Sequence, residues 1–149
     1  MSNSQIEEIN LSISRYLKVR EHSKKELIDK LVKKAFDRSV AIDCLKEFSS
    51  NNLQSDKRYS ESIVRVKFNS GKGPIYIRKY LQNQQIDDSL IETALSQYKI
   101  NDWIDSGQRV LAKKFSSQAS SIIKMKSFLI YRGFPYDIIE LCIREYTKS

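Results

Sequence analysis

Hydrophobic residues follow one pattern three times along this chain, at intervals of 50 and 48 residues that start from Ser23, Gly73 and Ser121. After each starting point, apolar residues return at the same distances. In the first copy they are Leu31, Phe36, Val40, Ala41, Cys44, Leu45 and Phe48. A period of this length predicts stacked supersecondary units rather than a single closed globule.

The spacing inside each copy predicts helices. Val40, Ala41, Cys44 and Leu45 are placed as on one face of an α-helix, whereas a strand would alternate by two. A shorter helix with apolar i, i+4 pairs precedes this one, and a third helix comes before both, at roughly 6–19, 56–68 and 102–115. We therefore predict an all-α fold of three tandem three-helix repeats, at 1–51, 52–100 and 101–149, forming an elongated, curved array.

Residues typical of helix N-termini support these positions. Ser23 with Glu26 predicts a capping box, and Gly73-Pro74 places proline at the first helical position. Further caps are predicted at Ser55-Asp56, Asn101-Asp102 and Ser120-Ser121.

Two segments carry signals that compete over the local structure. Residues 63–68 alternate as a strand would, but their place in the repeat favours helix. In the turn after the second helix, Gly133 suits a left-handed conformation, which costs on the order of 1 kcal/mol for Ala35 or Gln85. We therefore expect the first two turns to close differently from the third.

Composition limits the class of protein. The chain has 149 residues, 40% of them hydrophobic, so a unit of about 50 residues would be marginal alone and is expected to lean on its neighbours. With 4 Gly and 2 Pro, no long flexible linker is expected. We find no apolar run long enough for a membrane span and no signal-peptide core, so we expect a cytoplasmic protein. We also expect a monomer. Cys44 and Cys142 share one repeat position with Ala94, which indicates small buried residues.

Positive charge is concentrated in two windows, 62–86 and 106–136, which contain no acidic residue although the whole chain carries a net charge of +8. Both windows cover the same part of the repeat, so a basic surface recurs along the array and predicts a track for a polyanion such as DNA. The alternative is a solvated face that maintains solubility. Candidate contacts are Arg65, Lys67, Lys72, Arg78, Lys79, Lys113, Lys114, Lys124, Lys126 and Arg132, and the second window also contains Arg109. Nearby tyrosines could stack on bases or pack between helices: Tyr59, Tyr76, Tyr80 and Tyr131.

No catalytic constellation is visible. His22 is the only histidine, and its place before a helix cap predicts a solvated side chain. The segment 71–73 is too short for a phosphate-binding loop, and two cysteines with one histidine make no zinc set. We therefore expect no enzyme activity, no catalytic residue, no metal and no cofactor.

Four segments, in order and on the repeat frame, are similar to motifs of one known family. Residues 20–27 (Arg-Glu-His-Ser-Lys-Lys-Glu-Leu) are similar to Arg-x-His/Arg-Ser-x-x-Glu-Leu, and residues 56–60 to Asp-x-Arg-Phe-Ala. Residues 71–78 are similar to Gly-x-Gly-Pro-x-Arg-Ile, and residues 126–134 to a closing Phe-Leu-x-x-Arg-Gly-Phe. With these four motifs the chain resembles the RecX family of regulators of the bacterial recombinase RecA. Two departures are Tyr76, where the family often has Arg, and Gln85, where it often has Gly.

The resemblance implies a function. RecX-like proteins bind the RecA filament on single-stranded DNA in its helical groove, and they inhibit its ATPase, strand exchange and growth. The implied partners are the RecA filament and the phosphate backbone of single-stranded DNA. Two alternatives stay open: a general DNA-binding module and a helical adaptor for another protein. Because acids interrupt the basic residues of the first unit, we expect units two and three to face phosphates and unit one to contribute more to protein contact.

Overall fold

The computed structural model describes residues 3–115 and 121–148, and within these ranges every regular element is an α-helix. The helices are α1 (Asn3–Val19), α2 (Lys24–Lys33), α3 (Arg38–Ser50), α4 (Asp56–Asn69), α5 (Pro74–Asn83), α6 (Asp88–Leu95), α7 (Ile100–Lys114), α8 (Ile122–Arg132) and α9 (Tyr136–Lys148). The predicted all-α class is confirmed. Residues 63–68 lie inside α4, as their position in the repeat indicated.

The helices pack in threes. All the extensive contacts between helices fall within the groups α1–α3, α4–α6 and α7–α9, which we call units 1, 2 and 3. In each group the third helix packs against both of the others. The residue boundaries proposed for the repeats and the curvature of the array stay predictions.

The predicted caps are present at the starts of α2, α4, α5 and α8. Ser23 and Glu26 form the capping box, with Glu26 N donating to Ser23 Oγ at 3.0 Å and Ser23 N donating to the Glu26 carboxylate at 3.1 Å. Ser55 accepts from Arg58 N at 3.1 Å, and Ser121 accepts from Lys124 N at 3.4 Å. Ser120, the other half of that predicted cap, lies outside the described residues.

The predicted start of α7 was wrong by two residues. The helix begins at Ile100, and Lys99 rather than Asn101 or Asp102 is its N-cap. Asp102 is the third residue of α7, and its carboxylate accepts a hydrogen bond from Lys99 N at 2.8 Å. Its carboxylate thus satisfies a free amide from inside the first turn, where negative charge also complements the helix dipole.

The three turns after the second helix of each unit close in the same way, so the expectation of different closures was wrong. Ala35, Gln85 and Gly133 all have left-handed backbone, with φ of 70°, 57° and 96°. The following amide returns to the helix each time, as in Phe36 N to Leu31 O at 3.1 Å and Phe134 N to Leu129 O at 3.0 Å. Burial of Phe134 at 2% exposure and of Ile86 at 5% holds the same turn whether or not glycine is present.

The buried side chains form two cores. Unit 1 has its own, built around Ile9, Ile13, Leu27 and Leu31. Units 2 and 3 share the other, which runs from Tyr59 through Leu111 to Ile143. Units 2 and 3 therefore bury apolar surface together, while unit 1 buries its own.

The hydrogen bonds between units 1 and 2 differ in kind from those between units 2 and 3. Between units 1 and 2 the contacts are polar: Arg58 Nε donates to Glu21 at 2.7 Å, and Lys24 N donates to Asp56 at 3.0 Å. Between units 2 and 3 the backbone itself is paired, with Gly73 N donating to Arg132 O at 2.8 Å and Ile75 N to Gly133 O at 2.9 Å.

Both cysteines are free and buried, in agreement with their predicted role as small core residues. Burial raises the pKa of the Cys142 thiol to about 12. No helix in the described ranges is both long enough and apolar enough to span a bilayer.

Candidate nucleic-acid interface

One face of α7 carries cations and apolar side chains side by side. Ser106, Arg109, Val110, Lys113 and Lys114 follow the spacing i, i+3, i+4, i+7, i+8, so they share that face. Arg109, Lys113 and Lys114 are exposed, whereas Ser106 is buried. The adjoining face of α7, with Trp103 and Leu111, is buried in the core shared with unit 2.

This face of α7 forms one wall of a cleft of about 700 Å³ between units 2 and 3. The end of α4 and the loop after it, residues 68–71, supply another wall, and Phe128 and Arg132 of α8 supply the third. No acidic residue lines the cleft among the described residues, while Arg109, Lys113, Lys114 and Arg132 all do. The cleft therefore combines an apolar interior with charged side chains that are all positive. This arrangement suits an anion that also has an apolar part.

Arg132 is held in place by the loop of unit 2. Its Nε donates to Gly71 O at 3.1 Å, and its Nη2 donates to Ser70 O. The guanidinium also lies 5.9 Å from the centre of the Phe128 ring. These contacts fix the orientation of the side chain at little further entropic cost and leave Nη1 for a ligand.

Aromatic rings support the other cations. Phe68 stacks on Tyr98 with ring centres 3.7 Å apart, and the Arg109 guanidinium lies 5.7 Å from the Phe68 ring. Phe128 meets Phe115 edge to face at 5.8 Å. The cleft thus has rigid aromatic walls with cations at their surfaces.

The structure brings only three of the ten predicted contact residues into this cleft: Lys113, Lys114 and Arg132. Two others are neutralised by acids of the third helix of their own unit, with Arg78 Nε 2.7 Å from Glu92 and Lys126 Nζ 3.0 Å from Glu140. Lys67 and Lys72 lie over the rings of Tyr80 and Tyr76, each 4.5 Å from the ring centre. Arg65, Lys79 and Lys124 are exposed outside the cleft.

The four tyrosines considered for stacking divide by exposure. Tyr59 is buried in the core, and Tyr76 and Tyr80 are half-buried against it. Tyr131, with 80% of its surface exposed, is the one of the four whose ring is open to solvent. Packing between helices therefore accounts for three of them.

Arg109 is the cationic residue of the cleft lining that the predicted contact set omitted. It belongs to the second acid-free window and precedes Lys113 by one helical turn. The i, i+4 relation with Lys113 was the available signal. What the sequence did not contain was the position of Phe68, some 40 residues earlier in the chain, beneath the guanidinium.

His22 is buried at 1% exposure, so the prediction of a solvated side chain was wrong. Its Nε2 lies 3.1 Å from Lys30 Nζ and its Nδ1 lies 3.0 Å from Arg20 O. Because an ammonium can only donate, Nε2 accepts and Nδ1–H donates, which is the arrangement of a neutral ring. Burial lowers the pKa of His22, and the charges of Arg20 and Lys30 lower it further. The ring therefore has a structural role within unit 1, while the backbone carbonyl of His22 accepts a hydrogen bond from Gln54 Nε2 at 3.2 Å, just before α4.

Among residues 3–115 and 121–148, no three or more His, Cys, Asp or Glu side chains are grouped closely enough to hold a metal ion.

Comparison with known proteins points to one family. The family model for the first three-helix domain of RecX matches residues 14–48, and the model for the second matches residues 55–95. The regulatory protein RecX of Legionella pneumophila (strain Corby) is 39% identical over 142 residues, covering 93% of this chain and 94% of that protein. The regulatory protein RecX of Acinetobacter baylyi is 36% identical over 134 residues, covering 87% and 82%.

Solved structures agree with the sequence matches. The crystal structure of RecX from Lactobacillus salivarius superposes with a TM-score of 0.85 at 29% identity, covering 99% of this chain and 100% of that one. A second crystal structure of a regulatory protein RecX gives a TM-score of 0.82 at 22% identity, which shows likeness of fold.

Proposed function

This chain belongs to the RecX family, and from that premise we propose that it is a non-enzymatic regulator of RecA that binds the RecA filament on single-stranded DNA. In this proposal it inhibits the ATPase of the filament, its strand exchange and its growth. The observation that carries the proposal is the similarity to regulatory proteins named RecX over almost the whole chain.

The surface between units 2 and 3 suits the DNA part of this target. Lys113 and Lys114 are exposed and form no ion pair within the described residues, unlike Arg78 and Lys126. Free cations neutralise phosphates with no competing acid to displace, so this cleft is the proposed phosphate contact. Unit 1, where Arg20 pairs with Glu26 and Lys25 with Asp29, is the proposed protein contact.

The ATPase rate of RecA on single-stranded DNA tests the proposal. The protein, added well below the amount of RecA, is expected to slow ATP hydrolysis, because one bound regulator blocks many subunits of a growing filament. A Lys113→Gln, Lys114→Gln double variant is expected to need a higher concentration. Arg144→Gln, an exposed residue on α9 of the same unit, serves as the matched control. An unchanged ATPase rate over a wide concentration range contradicts the proposal.

The cationic cleft also favours a second candidate, a general DNA-binding module. The two candidate functions differ in whether tight binding to DNA requires RecA. A general DNA-binding module binds naked DNA tightly in the absence of RecA, and its affinity falls steeply with salt. Weak binding to naked DNA together with strong binding to the filament excludes the module and favours the regulator.

A further inference from the structure

We propose that the cleft between units 2 and 3 accepts an unstacked base of single-stranded nucleic acid, together with its flanking phosphates. The proposal rests on the proposed contact with single-stranded DNA and goes beyond it, since that contact requires only the phosphate backbone. It assigns a base-binding role to Phe128 and a phosphate-binding role to Arg109, in addition to Lys113 and Lys114.

The apolar interior is the first reason. Phe128, Val110 and Ala112 line the cleft between the cations, and the volume of about 700 Å³ exceeds what phosphate groups alone would require. A surface that contacts only phosphates needs cations and amides but no apolar recess. A groove in which cations accompany aromatic side chains is instead typical of proteins that bind single strands, where each base has a π-face to stack.

The arrangement of the cations is the second reason. Arg109 and Lys113 are one turn apart on α7, about 6 Å along the helix axis, which is close to the separation of neighbouring phosphates in an extended strand. Lys114 extends the same face. Arg132 lies on the opposite side, fixed by Gly71 O and placed beside the Phe128 ring. A base between these walls would meet the Phe128 ring and the Arg132 guanidinium, while its phosphates would follow α7.

An acidic peptide with an apolar side chain is the competing occupant. The fixed guanidinium beside an aromatic ring favours a planar π-system over an aliphatic side chain, since both groups present flat surfaces. Arg109 and Lys113, one turn apart on one helix face, likewise fit two neighbouring phosphates of a backbone better than scattered carboxylates.

Fluorescence anisotropy with the full chain tests the proposal, using a labelled short oligothymidine and an abasic strand of the same length. Both strands carry the same backbone charge, so only the bases differ. The wild-type protein is expected to bind oligothymidine at least about fivefold more tightly, in the range expected for base–aromatic stacking. Phe128→Leu is expected to remove most of this preference while keeping the apolar volume.

Charge variants separate the two parts of the site. Arg109→Gln is expected to weaken binding to both strands by a similar factor, because it removes a phosphate contact. Arg144→Gln makes the same chemical change on an exposed face of α9 and is expected to leave both affinities unchanged. Thermal unfolding followed by circular dichroism checks that each variant is folded, and Lys114→Gln replaces Arg109→Gln if the latter is not.

Two outcomes overturn the proposal. Equal affinity for oligothymidine and the abasic strand means that the cleft contacts phosphates only. Displacement of the strand by polyglutamate, with no loss of that displacement in Phe128→Leu and no preference for bases, assigns the cleft to an acidic protein. Either result leaves the proposed regulation of RecA standing if the ATPase of the filament is still inhibited, so the two proposals fail separately.

Discussion

Gly73 lies against the carbonyl group of Gly133 with no room for a Cβ atom between them. The two glycines belong to different units, and the contact allows Gly73 N to reach Arg132 O and Ile75 N to reach Gly133 O. The start of α5 is thereby capped by the backbone of unit 3 rather than by a side chain. A close approach of two backbones thus makes one body of units 2 and 3 around their shared core.

Replacement of Gly73 by alanine is expected to destabilise the protein by about 1–3 kcal/mol, the usual cost of forcing an extra group into a packed site. The added methyl would overlap Gly133 and separate the paired backbones. Urea unfolding followed by circular dichroism measures the loss. Ser70→Ala, in the same loop but exposed, is the control and is expected to stay near the wild-type value. Equal unfolding midpoints for Gly73→Ala and wild type would contradict this prediction, because they would show that the backbones at Gly73 and Gly133 can move apart without loss of stability.

Stability is expected to fall as the pH drops below the usual histidine pKa of 6.5. Because the folded state lowers the pKa of His22, its neutral ring stabilises the fold above that value, and the contribution is lost as the pH falls through the lowered pKa. Comparison of urea midpoints at about pH 7.5 and about pH 5.5 checks this. His22→Gln, which removes the chain's only histidine, is expected to flatten the dependence in this window.

At pH values below the histidine range, stability depends on the protonation of Glu26 instead. Burial by itself would raise the pKa of Glu26, but hydrogen bonds from Arg20 and Ser23 outweigh it and lower the pKa. Its contribution is therefore present above the usual glutamate pKa of 4.5 and is lost at lower pH, outside the histidine window. A pH dependence between 5.5 and 7.5 that survives in His22→Gln would contradict the assignment to His22.

Arg58→Lys is expected to weaken the junction of units 1 and 2 by about 1–2 kcal/mol, although it keeps the charge. The guanidinium bonds Glu21 at 2.7 Å and also donates to Asn52 Oδ1 at 3.0 Å and Asn52 O at 2.9 Å. A lysine ammonium cannot match this fixed set of directions. Denaturant unfolding measures the effect. Lys57→Gln, which affects only an exposed i, i+4 pair with Glu61, is expected to change stability little.

The salt dependence of single-strand binding is expected to distinguish free cations from paired ones. Removing Lys113 or Lys114 should reduce the slope of log K against log salt by about 0.7 each, as for one lost phosphate contact on a single strand. Arg78→Gln is expected to change the slope less, because its guanidinium already bonds Glu92 at 2.7 Å. Anisotropy titrations at several salt concentrations give the slopes, and equal changes for all three variants would contradict the assignment of the cleft.

Neither thiol is expected to react with Ellman's reagent in the folded protein. Cys142 is 0% exposed, and burial raises its pKa to about 12, so almost no thiolate forms at neutral pH. Cys44 is 8% exposed, with a pKa raised by burial and by neighbouring acids. Both are expected to react once urea unfolds the chain, and Cys44→Ala and Cys142→Ala identify which thiol gives any earlier signal.

Local signals in the sequence were enough to locate several helix starts. Ser23 with Glu26, Ser55 and Ser121 are where their chemistry placed them, because each hydroxyl accepts from an amide within three residues. The same local reasoning failed at Ala35 and Gln85. There the packing of the partly buried Phe36 and the buried Ile86 outweighs the cost of a left-handed residue, and that packing depends on helices elsewhere in the chain.

The sequence by itself determined the helices, their threefold pattern and the segments of uniform positive charge, because periodicity, capping and charge are properties of neighbouring residues. Only the tertiary structure decided which charges are available. Glu92 neutralises Arg78 and Glu140 neutralises Lys126 across helices, while the walls of the cleft bring Phe68, Arg109 and Arg132 together from distant positions. The packing of α1 against α2 likewise buried His22 in the loop between them, with its ring against Tyr16 and Lys30. Contacts between residues far apart in the chain depend on packing, and packing is decided by the whole fold.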